Sequence, residues 1–384
     1  MLNTSPYVFA RAPQLVYWEM TRACDLACRH CRAEAIARRH PYELSTDDGR
    51  SMLEAALGFG APLPHFVFTG GDPFKRADLF ALIEHARALG LGVSLAPSGT
   101  PLLTRAAVER LAAAGIQTIS LSLDGSNPER HDGFRGVPGC YDTTLRAADW
   151  IRAAGIPLQI NTLVTGDSLA DLPAIADLVG LLGAVRWSLF FLIPVGRGRQ
   201  GLPQIDAVQA ERLFRWLLDL GERVPFAIKT TEATHYRRVA VKRLRAAGLD
   251  DAAIARTPVG RGFGIRDGNG IMFVSHTGDV YPSGFLPLAA GNVRTTSLVE
   301  LYRASPLFVR LRDTAALDGK CGRCEFADLC GGSRARAYAA TGDSMASDPL
   351  CPYEPPTTPS DGVRGVVFPR DPTVRSESRG GRSA

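Results

Sequence analysis

"TRACDLACRHCRAE" (residues 21–34) crowds Cys24, Cys28 and Cys31 into eight positions of a chain that has 8 cysteines in 384 residues. Offsets of four and then three would share one face of a helix, so a buried cysteine stripe is the plain structural reading. The neighbours Asp25, Arg29, His30 and Arg32 make a polar surround, unlike a core face. A disulfide framework is disfavoured. The N-terminus "MLNTSPYVFARAPQLVYWEM" has no basic lead, apolar core and small-residue cleavage site. The expected compartment is therefore the cytoplasm, where thiols stay reduced. Metal ligation remains. Structural zinc wants four ligands, commonly as paired C-x2-C, and no fourth lies close by. An iron–sulfur cluster on three thiolates would leave one iron open, by the logic of catalytic zinc sites that keep a free position.

Working outward, the triad follows the first of six short apolar runs: 15–20, 65–70, 92–99, 118–125, 157–164 and 185–194. Each is rich in β-branched or aromatic residues and ends in Gly, Pro or polar residues, as strands do. Between them lie stretches such as "ADLFALIEHARALG" and "TRAAVERLAAAG", whose apolar residues recur at three and four and which end in Gly. Repeated βα units with apolar runs imply a parallel sheet covered by helices. Six units are too few for a closed eight-stranded barrel, which leaves an open partial barrel or a doubly wound sheet. In either, ligands sit at the carboxyl ends of the strands.

Beyond a helix expected around 234–247 the pattern changes. "IMFVSHTGDVYPSGF" reads as a hairpin turned at Thr277-Gly278-Asp279, followed by an amphipathic helix, "SLVELYRASPLFVRLRD", and a cysteine-rich segment. The expected organisation is a barrel over 1–230, a helical linker over 231–257, a small domain over 258–354, and a disordered Pro-, Gly-, Ser- and Arg-rich tail over 355–384. The net charge of +5 is partly the tail's, with five Arg against three acids in 356–384. That balance is too mild to imply nucleic acid. No stretch approaches the roughly 18 apolar residues of a membrane helix.

C-x3-C-x2-C directly after a first strand resembles the signature of the radical S-adenosylmethionine (SAM) enzymes. The resemblance implies an α/β fold, a partial (βα)6 TIM-type barrel. It also implies a 4Fe–4S cluster on Cys24, Cys28 and Cys31 whose open iron holds the amino and carboxylate groups of SAM. One electron from the reduced cluster then splits the sulfonium, and the 5′-deoxyadenosyl radical abstracts hydrogen from substrate. The second run ends "FTGGDPF", where Gly70, Gly71, Asp72 and Pro73 resemble the family's G-G-E-P motif for the SAM amino group; Asp in place of Glu is a departure. Glycines there allow close backbone approach. The fourth run ends "SLSLDG", with Ser122 and Asp124 expected on one face for the ribose or carboxylate. Arg135 is a bidentate partner for the carboxylate. Asn161, Ser98, Thr100, Leu192, Ile193 and His30 are further candidates, each with a structural reading beside it. Cys140 stands apart and reads as structural, and His276 and Tyr281 read as packing or solvent-facing before substrate-facing.

A second set, Cys321, Cys324, Cys330 and Cys351, makes a closed four-ligand site, and count alone leaves zinc as an alternative. The arrangement resembles the SPASM-type domains, implying one auxiliary 4Fe–4S cluster in a small C-terminal iron–sulfur domain. The early cysteine such domains often carry after the hairpin is replaced by Ser283. "YPSGFLPLAAGNVR" and the cysteine segment look closest to the branch that modifies tetrapyrrole side chains in haem and haem d1 biosynthesis. That implies a substrate with several carboxylates, with Arg294, Arg334 and Arg336 as candidate partners, and a reducing donor such as flavodoxin or ferredoxin. The rival is a peptide maturase; only 14 residues precede the first strand, so no N-terminal leader-binding domain is expected. An iron–sulfur electron carrier is a third reading, against which the Gly-rich and ribose-type elements speak.

Overall fold

The computed structural model describes residues 8–199 and 201–356; most of the expected tail, from 357 on, lies outside the described residues. The six apolar runs form strands β1 (Leu15–Glu19), β2 (His65–Thr69), β3 (Gly92–Leu95), β4 (Thr118–Ser122), β5 (Leu158–Val164) and β6 (Arg186–Phe191). They pair in chain order and all run parallel. Helices alternate with them, as crossovers between parallel neighbours require: α1 (Thr46–Ala55), α2 (Leu79–Ala88), α3 (Arg105–Ala113), α4 (Pro128–Arg135), α5 (Cys140–Ala153) and α6 (Leu172–Leu181). After α7 (Ala207–Gly221) a seventh strand, β7 (Ala227–Thr231), adds parallel to β6, and α8 (Tyr236–Ala246) follows. The reading by apolar runs passed over β7 because it is an edge strand, "AIKTT", partly exposed along its length.

The hairpin forms as β8 (Ile271–Val274) and β9 (Asp279–Tyr281), with a short β10 (Gly291–Asn292) beside it. β8 lies parallel against the free side of β1. The sheet order is therefore β10-β9-β8-β1-β2-β3-β4-β5-β6-β7, an open barrel whose edges are β10 and β7. The C-terminal segment thus joins the same sheet, next to the strand that leads into the first thiol loop. The single amphipathic helix expected over 297–313 is instead two, Leu298–Ala304 and Pro306–Arg312. Pro306 has no amide hydrogen and pushes Ser305 out of helical geometry, so the chain breaks there.

The core runs along β1 and β2. Trp18 is fully buried, edge-on to Phe68 at 5.3 Å and 88°. A Cβ on Gly49 would come within 2.7 Å of the Trp18 ring, so the glycine lets α1 press onto the indole. Beside it on β2, His65 bonds Ser94 Oγ of β3 at 2.7 Å. Burial, with Arg87 and Arg186 nearby, pushes the His65 imidazole down to about 4. An unfolded histidine titrates near 6.5. Between these values the unfolded chain binds a proton that the folded one refuses, so stability falls as pH drops through that window. His65→Gln should lose less stability than wild type between about pH 6.5 and 4, read from urea midpoints; equal losses would show that this histidine does not contribute.

Candidate active site

The loop after β1 carries the three thiols, and it is built by backbone contacts. Cys24 N donates to Ile36 O and Ile36 N to Arg22 O, which closes the loop on itself. Gly71 N donates to Thr21 O and Asp72 N to Ala23 O, both at 2.7 Å. A Cβ on Gly70 would stand 2.4 Å from Thr21 O, and one on Gly71 2.4 Å from Ala23 O. The close approach that requires these glycines is thus to the thiol loop itself. On the opposite side Ala27 N and Arg29 N donate to the carbonyls of Arg135 and Phe134 at the end of α4.

Cys24, Cys28 and Cys31 fall in one side-chain cluster with Leu26, and each sulfur faces a donor. Leu26 N approaches Cys24 Sγ at 3.4 Å, Ala35 N approaches Cys31 Sγ at 3.3 Å, and Arg135 Nη1 approaches Cys28 Sγ at 3.6 Å. Ser98 Oγ lies 3.3 Å from Cys24 Sγ and 2.9 Å from Gly71 O. Burial pushes the Cys24 thiol up. Thiolates that ligate metal need such donors, so this set fits an iron–sulfur cluster. Cys140 does not stand apart. It packs, buried, against the same thiols, with its Sγ 3.5 Å from Gly99 O. No local signal in the sequence places it there, because α4 and α5 fold it back from more than a hundred residues away.

The remaining candidates split. Asp72 is buried and engaged within the protein: it accepts from Phe74 N at 3.2 Å and Thr100 Oγ1 at 2.8 Å, capping the short turn that opens at Pro73. Burial raises its pKa. Asp124 does not alternate with Ser122 along a strand, because the chain leaves the ladder at Ser122. Its Oδ1 accepts from Leu163 N at 2.7 Å and its Oδ2 from Arg135 Nη2. Burial works against the charge on Asp124, but Arg135 prevails and holds its pKa low. Burial likewise opposes the Arg135 charge, and Asp124 and the Cys28 sulfur raise its pKa regardless. Arg135 therefore spends its terminal nitrogens on Asp124 and Cys28, while its Nε is buried without a hydrogen-bond partner. Ser122, the last residue of β4, is the register neighbour of Asn161 in the middle of β5, and both are half-buried. Asn161 Oδ1 accepts from Gln159 Nε2 at 2.7 Å. Leu192 packs with Leu163, Leu202 and Phe134, just past β6. His30 stacks on Phe134 at 4.8 Å, and burial and Arg135 push its pKa down to about 4.

The second thiol set also meets. Cys321, Cys324, Cys330 and Cys351 line one cavity, with Gly331, Gly332 and Tyr353. Among the described residues no group of three or more His, Cys, Asp or Glu closes round a single metal ion. What the four thiols share is a hollow. Phe326 N and Gly332 N approach Cys324 and Cys330 Sγ at 3.4 Å each, and Thr234 Oγ1 lies 3.4 Å from Cys330 Sγ. Gly332 is required: a Cβ would sit 2.4 Å from Arg334 Nη2 and 3.4 Å from Cys321 Sγ. Burial raises the Cys324 thiol to about 12 and Cys351 to about 11. The donor set fits a multi-iron cluster.

Three arginines expected to meet substrate carboxylates are otherwise engaged. Arg334 is fully buried and donates to Ser344 O and Ala346 O. Arg336 pairs with buried Asp348, and Arg294 with Asp48 and the carbonyls of Tyr42, Glu43 and Thr277. Ser283 is buried and accepts from Phe285 N, and His276 bonds Glu19 at 2.8 Å.

Known proteins resemble this chain. Residues 18–179 match the Radical SAM superfamily. The chain is 41% identical over 355 residues to the AdoMet-dependent heme synthase of Oleidesulfovibrio alaskensis, across 91% of this chain and 89% of that one. It is 29% identical over 351 residues to the Fe-coproporphyrin III synthase of Methanosarcina barkeri, across 88% and 87%. Among solved structures, Streptococcus suis SuiB bound to S-adenosylmethionine superposes with a TM-score of 0.69 over 89% of this chain and 78% of that one, at 18% identity, a likeness of fold. The chain belongs to the radical SAM superfamily and is a radical SAM enzyme. The family's cofactors are SAM and a 4Fe–4S cluster, which when bound supply a 5′-deoxyadenosyl radical. No helix among the described residues is long and apolar enough to cross a membrane.

Because the thiol loop rests on a glycine backbone, Gly71→Ala should displace it. The reconstituted variant is expected to keep about half the wild-type iron with an unchanged far-UV circular dichroism spectrum. Full iron would show that the loop tolerates the Cβ without losing its cluster.

Proposed function

We propose that this enzyme removes or trims carboxylate side chains of a tetrapyrrole in the making of a haem-type cofactor. The observation that carries this reading is its 41% identity, over nearly its whole length, with a protein named a heme synthase. Identity drops to 29% where the name changes to a coproporphyrin synthase. In this reading Cys24, Cys28 and Cys31 hold the SAM cluster, and the backbone after Gly70, with Ser122, Asn161 and Leu192, lines the SAM site. Asp124 and Arg135 serve that site by fixing Cys28. Cys321, Cys324, Cys330 and Cys351 hold one auxiliary 4Fe–4S cluster. Losing one hydrogen atom, carbon dioxide and one electron would turn a propionate side chain into an alkene. The auxiliary cluster is the acceptor we assign to that electron, and a flavodoxin- or ferredoxin-type protein is the donor for the SAM cluster.

Anaerobic reconstitution should give about eight irons per chain, and about four would remove the auxiliary cluster. Alanine at Cys24, Cys28 and Cys31 together should abolish reductive SAM cleavage. Porphyrins with carboxylate side chains should raise deoxyadenosine formation by the wild-type enzyme. No response to any of them, with a response to a peptide, would replace this reading by a peptide maturase.

A further inference from the structure

The turn after β6 reads Gly196-Arg197-Gly198-Arg199. It is fastened to the thiol loop: Arg197 N donates to Cys31 O at 3.1 Å, and a Cβ on Gly196 would stand 2.5 Å from the Cys31 and Arg32 carbonyls. Behind this turn is a cavity of about 350 Å³. Small-molecule sites run roughly 300–1,000 Å³. Three segments close it. The turn gives Pro194, Val195 and Arg199; the stretch after the hairpin gives Phe285 and Pro287; and the helix Arg334–Thr341, which starts four residues beyond Cys330, gives Tyr338 and Ala339. The cavity therefore borders the first thiol loop through one wall and continues from the second thiol set through another.

Its lining mixes the apolar side chains of Pro194, Val195, Phe285 and Pro287 with Tyr338 and the cationic Arg199. Arg199 is exposed at the rim. Arg197 does not line the cavity; its Nε and Nη2 are buried without a hydrogen-bond partner.

We propose that this cavity seats one face of a flat ring bearing several carboxylates, with Phe285 and Tyr338 against the ring and Arg199 at the rim pairing one carboxylate. This rests on the tetrapyrrole reading above and adds the place and the residues. Such a ring would lie between the two thiol sets, where one of its side chains can meet the radical and the electron released can leave.

The test is titration of the reconstituted enzyme with a metal-free carboxylate porphyrin, coproporphyrin III, followed by quenching of its fluorescence. Arg199→Glu and Ala339→Trp change exposed positions, so both should fold, which iron content and circular dichroism verify. Each should weaken binding by about tenfold or more. Wild-type affinity in Arg199→Glu and Ala339→Trp, with the porphyrin still bound, would overturn the placement and leave the tetrapyrrole reading standing. Absence of porphyrin binding by the wild-type enzyme would overturn both.

Discussion

Two backbone hydrogen bonds, Gly71 N to Thr21 O and Asp72 N to Ala23 O, hold the thiol loop on the end of the sheet. They form only because neither Gly70 nor Gly71 has a Cβ, which would lie 2.4 Å from a carbonyl oxygen of the loop. The contact then propagates. The Gly71 carbonyl accepts from Ser98, whose hydroxyl also touches Cys24 Sγ. The Asp72 carboxyl caps the next turn and holds Thr100, in the loop that carries Ser98. A position that looks made for a ligand is thus first made for the sulfur atoms, and any ligand is placed through them.

A second constraint is electrostatic. Asp124 and Arg135 are a buried ion pair that also bonds the β5 backbone and the Cys28 sulfur. Losing one member of such a pair costs about 3–5 kcal/mol, while an apolar replacement of both is often neutral. Stability alone is therefore a weak reason for the pair. Its geometry gives a better one: a fixed positive charge stands beside the Cys28 sulfur, which in the reading proposed above ligates iron as a thiolate. His131 Nδ1, which accepts from Asp124 N, is kept neutral by burial, so it adds no competing charge. Arg334 stands to Cys321 at 3.9 Å in a looser version of the same relation.

Much of this was legible in the sequence. Apolar runs located β1 to β6 because parallel strands buried on both faces must be apolar throughout. β7 escaped because an edge strand need not be. The thiol triad was legible because its spacing is local. Cys140 was not, since its place beside the triad depends on how α4 and α5 fold back, which no local spacing records. The arginines failed for a related reason. Arg334 and Arg336 stand near cysteines in sequence, yet burial in the helix Arg334–Thr341 commits them to carbonyls and Asp348. Arg199, just past the sixth run, does line a cavity, and it stands beyond the carboxyl end of a parallel strand, where ligands gather.

One carboxylate ties the two halves of the site together. Glu19, the last residue of β1, accepts from Arg32 of the thiol loop at 2.6 Å and bonds His276 of the hairpin at 2.8 Å. Burial works against its charge, but Arg32 and His276 outweigh burial and keep its pKa low. Arg32 also lies over the Phe273 ring of β8 at 4.5 Å. The hairpin is therefore latched to the same loop that the glycines fix, and the C-terminal segment leaves the hairpin from a defined position. The stretch holding Phe285 and Pro287 follows within a few residues, and so the wall it forms is set by the latch. Radical chemistry needs a substrate held close and kept from water. Here the loop that holds the first thiols also anchors two of the three walls of the cavity, the turn through Cys31 and the hairpin side through Glu19. A shift of the sulfur atoms would carry those walls with it, which keeps the thiol loop and the cavity in register.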